Sequence, residues 1–504
     1  MRSGLFRSVI TAVLAAALLL SAARTDAVAD SMAVASHRKS ILHISIYDSK
    51  QRTIASGKGF VLGSGGIVAT SSWLISQWSE GETRISFRTG DGKDLGLESV
   101  IATDRVRGIS LLKVAAKGLD PVKLAAGYKP RKGDPYYVIS SSPGRPTLVL
   151  GGIIKNILPK DGSFEVPQAS SAEHEGAPVF NAKGEVIGLV SHFTRPVKGP
   201  KLVVSVKQLS ELVEAFKRQL LARAYFELGL AYEAETGRSE EAISAYQEAA
   251  RMSAGNAGAY YNLGLVSGRA GRQQEAVEAF REVVRLEPGN AEAYNNLGVA
   301  YSNLGRQEEA LAAFTQAVKL SPDNVDAYNN LGVAYGKMAR FPEAIGALKQ
   351  VVRIRPDHAE AHFNLGVAHS KAGQLPEALE AFTRVLNIRP DDAEALNRLG
   401  IVYGRLGRFE EAAAASSRAL GLKPEFSEAY TNIGAAYGSM GKNQEALDAF
   451  KQAIRIRPDN SDARYLLAVL YIGMGDTASA LNEYNTLKKL DKTLAQKLSK
   501  HLNE

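Results

Sequence analysis

The sequence predicts two fold classes in tandem, an all-β domain of sandwich or barrel type followed by an all-α solenoid. Two observations carry this reading. Between Ser40 and Val206 nine short alternating apolar runs are separated by Gly, Pro, Asp and Ser, the texture of many short strands joined by turns. From Ala222 to residue 494 the chain repeats itself with a 34-residue period, the mark of a stacked repeat architecture. Charge divides the same way. Residues 222 to 504 carry 32 Lys+Arg against 35 Asp+Glu, a net of −3, which leaves a net of +11 for residues 1 to 221.

Composition narrows the function classes before any motif is read. The 504 residues are 45% hydrophobic and 23% charged, close to the globular average, which excludes a disordered, collagen-like or multi-spanning membrane chain. There is no cysteine, so disulfides, thiolate zinc sites, iron-sulfur ligation, a cysteine nucleophile and a lipoprotein anchor are all absent.

Residues 1 to 29 read as a signal peptide. Arg2 and Arg7 precede an apolar run from Val9 to Ala23, and Ala27-Val28-Ala29 offers a small-x-small cleavage pattern before Asp30. The run is shorter than the ~20 residues that span a bilayer. Export of the mature chain, to the periplasm or outside the cell, follows as the expectation.

Residues 30 to 205 form the β domain. Its landmarks occur in a set order: GKGFVLGSGGIVATSSWLI (57 to 75), DRVRGISLLKV (104 to 114), KGDPYYVISSSPG (132 to 144), LGGII (150 to 154) and EGAPVFNAKGEVIGLV (175 to 190). In that order they resemble the chymotrypsin-type double β-barrel of the HtrA-like serine proteases. The resemblance implies an all-β double-barrel trypsin-like domain and gives each catalytic position a place here. The histidine position holds Trp73, the aspartate position Gly108 and the serine position Glu175. Serine attack needs an imidazole to take the proton and a carboxylate to orient it, so this implies a pseudoprotease with no catalytic residue. In place of a glycine and the nucleophile the chain carries Glu173-His174-Glu175. The Glu175 carboxylate is expected to accept the backbone N–H groups that would have held an oxyanion. Two other chemistries are weak: three adjacent loop residues rarely converge on one metal ion, and His192, His37 and His43 have no evident partner. No metal and no cofactor is expected.

Residues 206 to 221 form a connecting helix, because Leu209, Leu212, Val213, Phe216 and Leu220 recur at helical spacing with no Gly/Pro/Ser linker after them. Residues 222 to 494 are eight copies of a two-helix unit. In the copy at 291 to 324, Leu297 and Tyr301 share one face of the first helix, while Ala310, Phe314 and Ala317 share one face of the second. Gly298 and Ala310 are small so that the helices approach closely, and Pro322 closes the unit. Each unit alone leaves an apolar face that only stacking can bury. Residues 495 to 504 read as a polar capping helix.

The repeat resembles the tetratricopeptide family. Gly stands at the eighth position in seven copies and the closing proline in six. The resemblance implies a concave groove, lined by the first helices, that binds peptide or protein partners. Its sixth position holds Asn262, Asn296, Asn330, Asn364, Arg398 and Asn432, and its thirteenth holds Arg269, Lys337, Lys371 and Arg405. Amides donate and accept together, so the ladder suits a peptide backbone, and the cations suit an acidic segment or a terminal carboxylate. The sequence thus reads as an exported, non-catalytic interaction scaffold, with the basic barrel offering a surface for an anionic envelope component and no nucleic acid expected. The alternative is a divergent serine-type endopeptidase homologue with relocated or residual activity.

Overall fold

The computed structural model describes residues 31–63, 65–115, 118–140, 148–169, 171–191 and 202–502. The expected leader and His192 lie outside the described residues. The chain divides into two compact units, one ending at Ala259 and the other beginning at Tyr260.

The first unit contains two antiparallel sheets. β1 (Ile41–Tyr47), β2 (Thr53–Gly63), β3 (Ile67–Ser71), β4 (Arg84–Thr89), β5 (Asp94–Leu95), β6 (Leu97–Asp104) and β7 (Ile109–Val114) form one, in the order β5-β4-β1-β2-β3-β7-β6. β8 (Pro135–Ser140), β9 (Leu148–Ile153), β10 (Phe164–Glu165), β11 (Pro178–Phe180), β12 (Val186–Ser191) and β13 (Leu202–Ser205) form the other, in the order β10-β13-β12-β11-β8-β9.

Period-two alternation sets the faces. In β1 the side chains of Leu42, Ile44 and Ile46 are fully buried with Val61, Val68, Phe87 and Leu112, while His43, Ser45 and Tyr47 are only half-buried. Tyr136, Val138, Phe164, Val179, Ile187 and Val203 fill the second sheet's core. A third cluster joins the sheets, with Ile41, Phe60, Ala69 and Leu111 on one side and Ile139, Phe180, Val186 and Leu189 on the other. Each such side chain, moved fully out of water, contributes about 1.5–3 kcal/mol. Leu209 of the next helix belongs to this cluster, and Leu212, Val213 and Phe216 pack against it.

That helix runs unbroken from Val206 to Glu233, through the expected boundary at 221/222. Its partner Ser239–Met252 packs on it so closely that a Cβ at Gly229 would lie 2.6 Å from the Tyr246 ring.

In the second unit, 13-residue helices begin at Ala291, Val325, Ala359, Ala393, Ser427 and Ser461, each 34 residues after the last, and each is followed by a 14-residue partner. Asn290, Asn324, Asp392 and Asn460 cap four of them, each side-chain oxygen accepting the N–H three residues on at 2.9 Å. A Cβ at Gly298, Gly366 or Gly434 would lie 2.6–2.7 Å from the ring of Phe314, Phe382 or Phe450, so the eighth position is glycine for want of space. The array ends in a helix from Lys492 to Leu502, with Ala495 and Leu498 buried against Ala468 and Leu487. It starts three residues before the expected cap, where the Asp491 carboxylate accepts the Thr493 and Leu494 N–H groups at 2.9 and 3.0 Å and so caps the helix early.

Candidate functional site

Two places hold the residues that sequence reasoning singles out, the end of β3 in the β domain and the first helices of the array. In the β domain, Trp73, Gly108 and Glu175 are gathered around the end of β3. Ser71 caps the short helix Ser72–Ser76, its hydroxyl accepting the Trp73 N–H at 3.2 Å. The Gly108 carbonyl accepts the Ser72 N–H at 3.0 Å and the Ser191 hydroxyl at 3.5 Å. Lys58 of β2 donates its backbone N–H to the Glu175 carbonyl at 2.6 Å.

The three side-chain positions have different fates. Trp73 packs beside the first-sheet core, and an indole N–H can only donate, so it cannot take a proton. Gly108 has φ +77°, a left-handed conformation that suits glycine. Glu175 is fully buried, and its N–H donates to the Ala172 carbonyl at 3.1 Å, closing the turn Ala172–His174. The Glu175 N–H is therefore spent inside the turn. Gly176, at φ +77°, holds this turn down, since a Cβ there would lie 2.1 Å from the Lys58 carbonyl oxygen.

The neighbouring histidines are structural. His174 is buried, with Nδ1 2.7 Å from the Ser171 hydroxyl. His37 stacks on Phe180 at 5.4 Å between ring centroids. Among the described residues no three His, Cys, Asp or Glu side chains are grouped as a metal site.

Sequence reasoning passed over Lys58. It is 1% exposed, and burial lowers its ammonium pKa to about 8, against the opposing attraction of Glu173. The signal lay in GKGF, where a lysine stands between two glycines in a strand. A Cβ at Gly57 would lie 2.5 Å from the Glu175 carbonyl oxygen and one at Gly59 2.7 Å from Val68, so this stretch of β2 lies hard against its neighbours.

On the array, four of the five sixth-position amides are tied to the repeat before them. Asn330 donates to Asn295 at 3.0 Å, Asn364 to Asn329 at 3.2 Å, Asn432 to Asn397 at 2.6 Å, and Asn296 to the Tyr261 hydroxyl at 3.1 Å. One donor of each of these four amides is thus committed between repeats. Arg398 instead pairs with Glu394 on its own helix at 2.9 Å, and Asn262 stands half-buried at the head of the row.

The cations Arg269, Lys337, Lys371 and Arg405 are exposed. Lys337 donates to the Ser302 hydroxyl at 3.2 Å and Arg405 to the Ser370 carbonyl at 2.7 Å. Between successive first helices Leu265, Arg269, Asn296, Val299 and Asn303 line one cavity of about 260 Å³, so the amide, cation and aliphatic rows share a face. The aliphatic row was missed. It occupies the ninth position as Leu265, Val299, Val333, Val367 and Ile401, and a 34-residue alignment of the copies reveals it.

A family model for a trypsin-like peptidase domain matches residues 57–189. Models for tetratricopeptide repeats match residues 222–256 and 269–305, and one described as the C-terminal domain of cilia and flagella-associated protein 70 matches 290–498. A probable periplasmic serine endoprotease, DegP-like, from Pseudomonas putida is 32% identical over 155 residues, 29% of this chain and 31% of that protein. Anti-sigma-I factor RsgI9 from Acetivibrio thermocellus is 29% identical over 158 residues, 31% of this chain and 22% of that one. The chain thus spans less than a third of the length of either relative. Among solved structures, YrrB, described as a TPR protein with an unusual peptide-binding site, is 26% identical, covering 37% of this chain and 97% of that one at a TM-score of 0.34. The chain joins a trypsin-like peptidase domain, homologous to that of the DegP-like proteases, to an array of tetratricopeptide repeats.

Proposed function

We propose that the protein is an exported, non-catalytic interaction scaffold. The repeats bind peptide or protein partners on their first-helix face, and the β domain is a pseudoprotease retained as an accessory binding module with affinity for anionic envelope components. The observation that carries the non-catalytic reading is the turn at Glu175, whose N–H is taken by the Ala172 carbonyl. With no imidazole at Trp73 and no carboxylate at Gly108, these positions lack the pair of groups that activates a serine hydroxyl. Removal of such groups lowers turnover by about 10⁴ to 10⁶. The apolar leader and the periplasmic naming of the DegP-like relatives support export.

On the array, hydrogen bonds between repeats hold Asn296, Asn330, Asn364 and Asn432 in a fixed orientation. The groove's contacts then come from the remaining amide capacity, the aliphatic row and the exposed cations.

Two assays on the chain from Asp30 onward test this. Peptidase activity is measured on unfolded protein and on a peptide library, with Glu175→Ala in parallel. Capture of partners from an envelope extract is compared with a Val299→Glu/Val333→Glu variant, which leaves the hydrogen bonds between repeats in place. No cleavage by either protein, together with captured proteins lost only from the array variant, is the expected result. Turnover that Glu175→Ala abolishes overturns the reading in favour of an endopeptidase.

A further inference from the structure

The positive charge of the first half of the chain is not evenly spent. On the array, arginines are matched by carboxylates one turn away: Arg272 with Glu275, Arg285 with Glu282, Arg340 with Glu343 and Arg408 with Glu411 lie within 2.9 Å. On the β domain, Lys129, Arg131, Lys132, Lys155 and Lys160 are all exposed, and none forms an ion pair among the described residues.

The backbone brings these five to one end of the second sheet. Beyond the paired ends of β8 and β9, Gly133 N–H donates to the Ile154 carbonyl at 2.8 Å and Ile154 N–H to the Asp134 carbonyl at 2.9 Å. That pairing sets Lys132 and Lys155 on adjacent chains. Lys160 sits in a turn closed by Leu158 N–H to the Ser163 carbonyl at 2.7 Å and Gly162 N–H to the Leu158 carbonyl at 3.1 Å. Gly162 of that turn faces Pro130, a Cβ there lying 4.0 Å from its ring, which places Lys160 beside Lys129 and Arg131.

Three carboxylates share this end, each held by uncharged donors: Asp134 accepts the Tyr128 hydroxyl at 2.7 Å and the Arg131 backbone N–H at 3.0 Å, Asp161 accepts the Ser163 N–H at 2.9 Å, and Glu165 accepts the Asn156 amide at 2.7 Å. Five cations against three carboxylates leave positive charge in excess. Among the cations stand Ile153, 53% exposed, and the exposed Pro159. Among the described residues the aromatic ring at this end, Tyr128, is half-buried with its hydroxyl committed to Asp134 at 2.7 Å, and no fully exposed ring offers a base a stacking face. Cations interleaved with exposed aliphatic groups on protruding turns match a bilayer surface, where the charges meet headgroup phosphates and the apolar side chains enter the interface.

We infer that Lys129, Arg131, Lys132, Lys155 and Lys160, with Ile153, form a docking surface for an anionic phospholipid bilayer. The inference rests on the reading of the β domain as an anionic-binding module and gives that module its place and partner. Attachment is peripheral, since no helix among the described residues is long and apolar enough to cross a membrane.

The test is co-sedimentation of the chain from Asp30 onward with vesicles of phosphatidylcholine alone and of phosphatidylcholine with 30% phosphatidylglycerol. Inorganic phosphate and polyglutamate serve as soluble competitors. Each basic residue near an anionic surface is worth about fivefold in partition, so changing all five to Gln is expected to weaken binding to the anionic vesicles at least a hundredfold. The exchanges Lys→Arg and Arg→Lys keep binding, and Ile153→Ser weakens it several-fold. Salt at about 0.5 M releases the protein. A variant with Arg269, Lys337, Lys371 and Arg405 all changed to Gln is expected to keep vesicle binding, which separates this surface from the groove. Equal binding to neutral vesicles, unchanged binding by the five-Gln variant, or binding to polyglutamate but not to vesicles overturns the inference. Loss of partner capture by the groove variant leaves it standing.

Discussion

The eighth-position glycine offers a test in which the sign of an effect, and not only its size, is fixed by the structure. A Cβ at Gly298 would lie 2.6 Å from both Cδ1 and Cε1 of Phe314, far inside van der Waals contact, and Phe314 is 2% exposed with no room to retreat. Gly298→Ala forces the ring aside, and such overpacking costs about 1–3 kcal/mol. Alanine in a helix interior returns about 1 kcal/mol over glycine. The net expectation is a loss of about 1 kcal/mol. Phe314→Ala by itself removes a buried ring and costs about 3–5 kcal/mol. In that background the new methyl meets empty space, so Gly298→Ala becomes stabilising by about 1 kcal/mol. The double-mutant cycle then shows a coupling of about 2 kcal/mol, read by urea unfolding followed by far-ultraviolet circular dichroism. If Gly298→Ala destabilises equally in both backgrounds, the ring is not why the position is glycine, and the packing argument for every copy fails with it.

Further outcomes follow from the same geometry. Ser416 stands at the ring position of its copy, and its hydroxyl is buried with no hydrogen-bond partner among the described residues; Ser416→Ala should stabilise the array by about 1 kcal/mol, and a loss in urea unfolding would show the hydroxyl to be satisfied. Gly176→Ala places a methyl 2.1 Å from the Lys58 carbonyl oxygen at φ +77° and should cost more than about 3 kcal/mol, seen as loss of near-ultraviolet circular dichroism from the β domain. Lys58, with its folded pKa lowered from 10.5 to about 8, binds fewer protons folded than unfolded, so stability rises with pH between these values and the full penalty applies below 8. Lys58→Met should flatten that rise, by about 3 kcal/mol on an order-of-magnitude basis, and parallel pH profiles for the two proteins would refute the buried charge.

Legibility in the sequence followed how each element earns its burial. The repeats were readable because one period fixes both helices of every copy, and the glycine and ring at positions eight and twenty-four meet across them. Strands with strict alternation, such as β1 with Leu42, Ile44 and Ile46, were equally plain. β6 was not. Its pairing with β7 slips between Leu97 and Ser99 and again between Val100 and Ala102, and each bulge turns the alternation over, so no run of period two survives in LESVIATD. β10 is two residues long and is held by neighbours, not by pattern. In the site, landmark order singled out Trp73, Gly108 and Glu175, and the structure brings all three to the end of β3. The destination of the Glu175 N–H could not be read in this way. It depends on how the turn from Ala172 folds back, and no residue type announces that. The ties between amides were hidden for a related reason, since Asn330 and Asn295 lie 35 residues apart and meet only once the copies stack.

The two halves also bear on how the groove should be tested. The amides are the natural targets, yet Asn296, Asn330, Asn364 and Asn432 are each both a surface group and a strut between repeats. Replacing Asn330 by Ala removes its donor and leaves the Asn295 carbonyl oxygen short of a partner, a cost of about 1 kcal/mol per position before any ligand is involved. Three such changes in adjacent copies loosen the stack itself, so a lost partner would not distinguish contact from architecture. Val299 does. It is 37% exposed beside Asn296 and Asn303, makes no tie between repeats, and as glutamate puts a solvated charge on the face a partner must cover. Burying that charge against an apolar partner residue costs several kcal/mol, while the free array is left within about 0.5 kcal/mol of its original stability. A Val299→Glu chain that unfolds like the parent and still captures every partner would place recognition away from the first helices altogether.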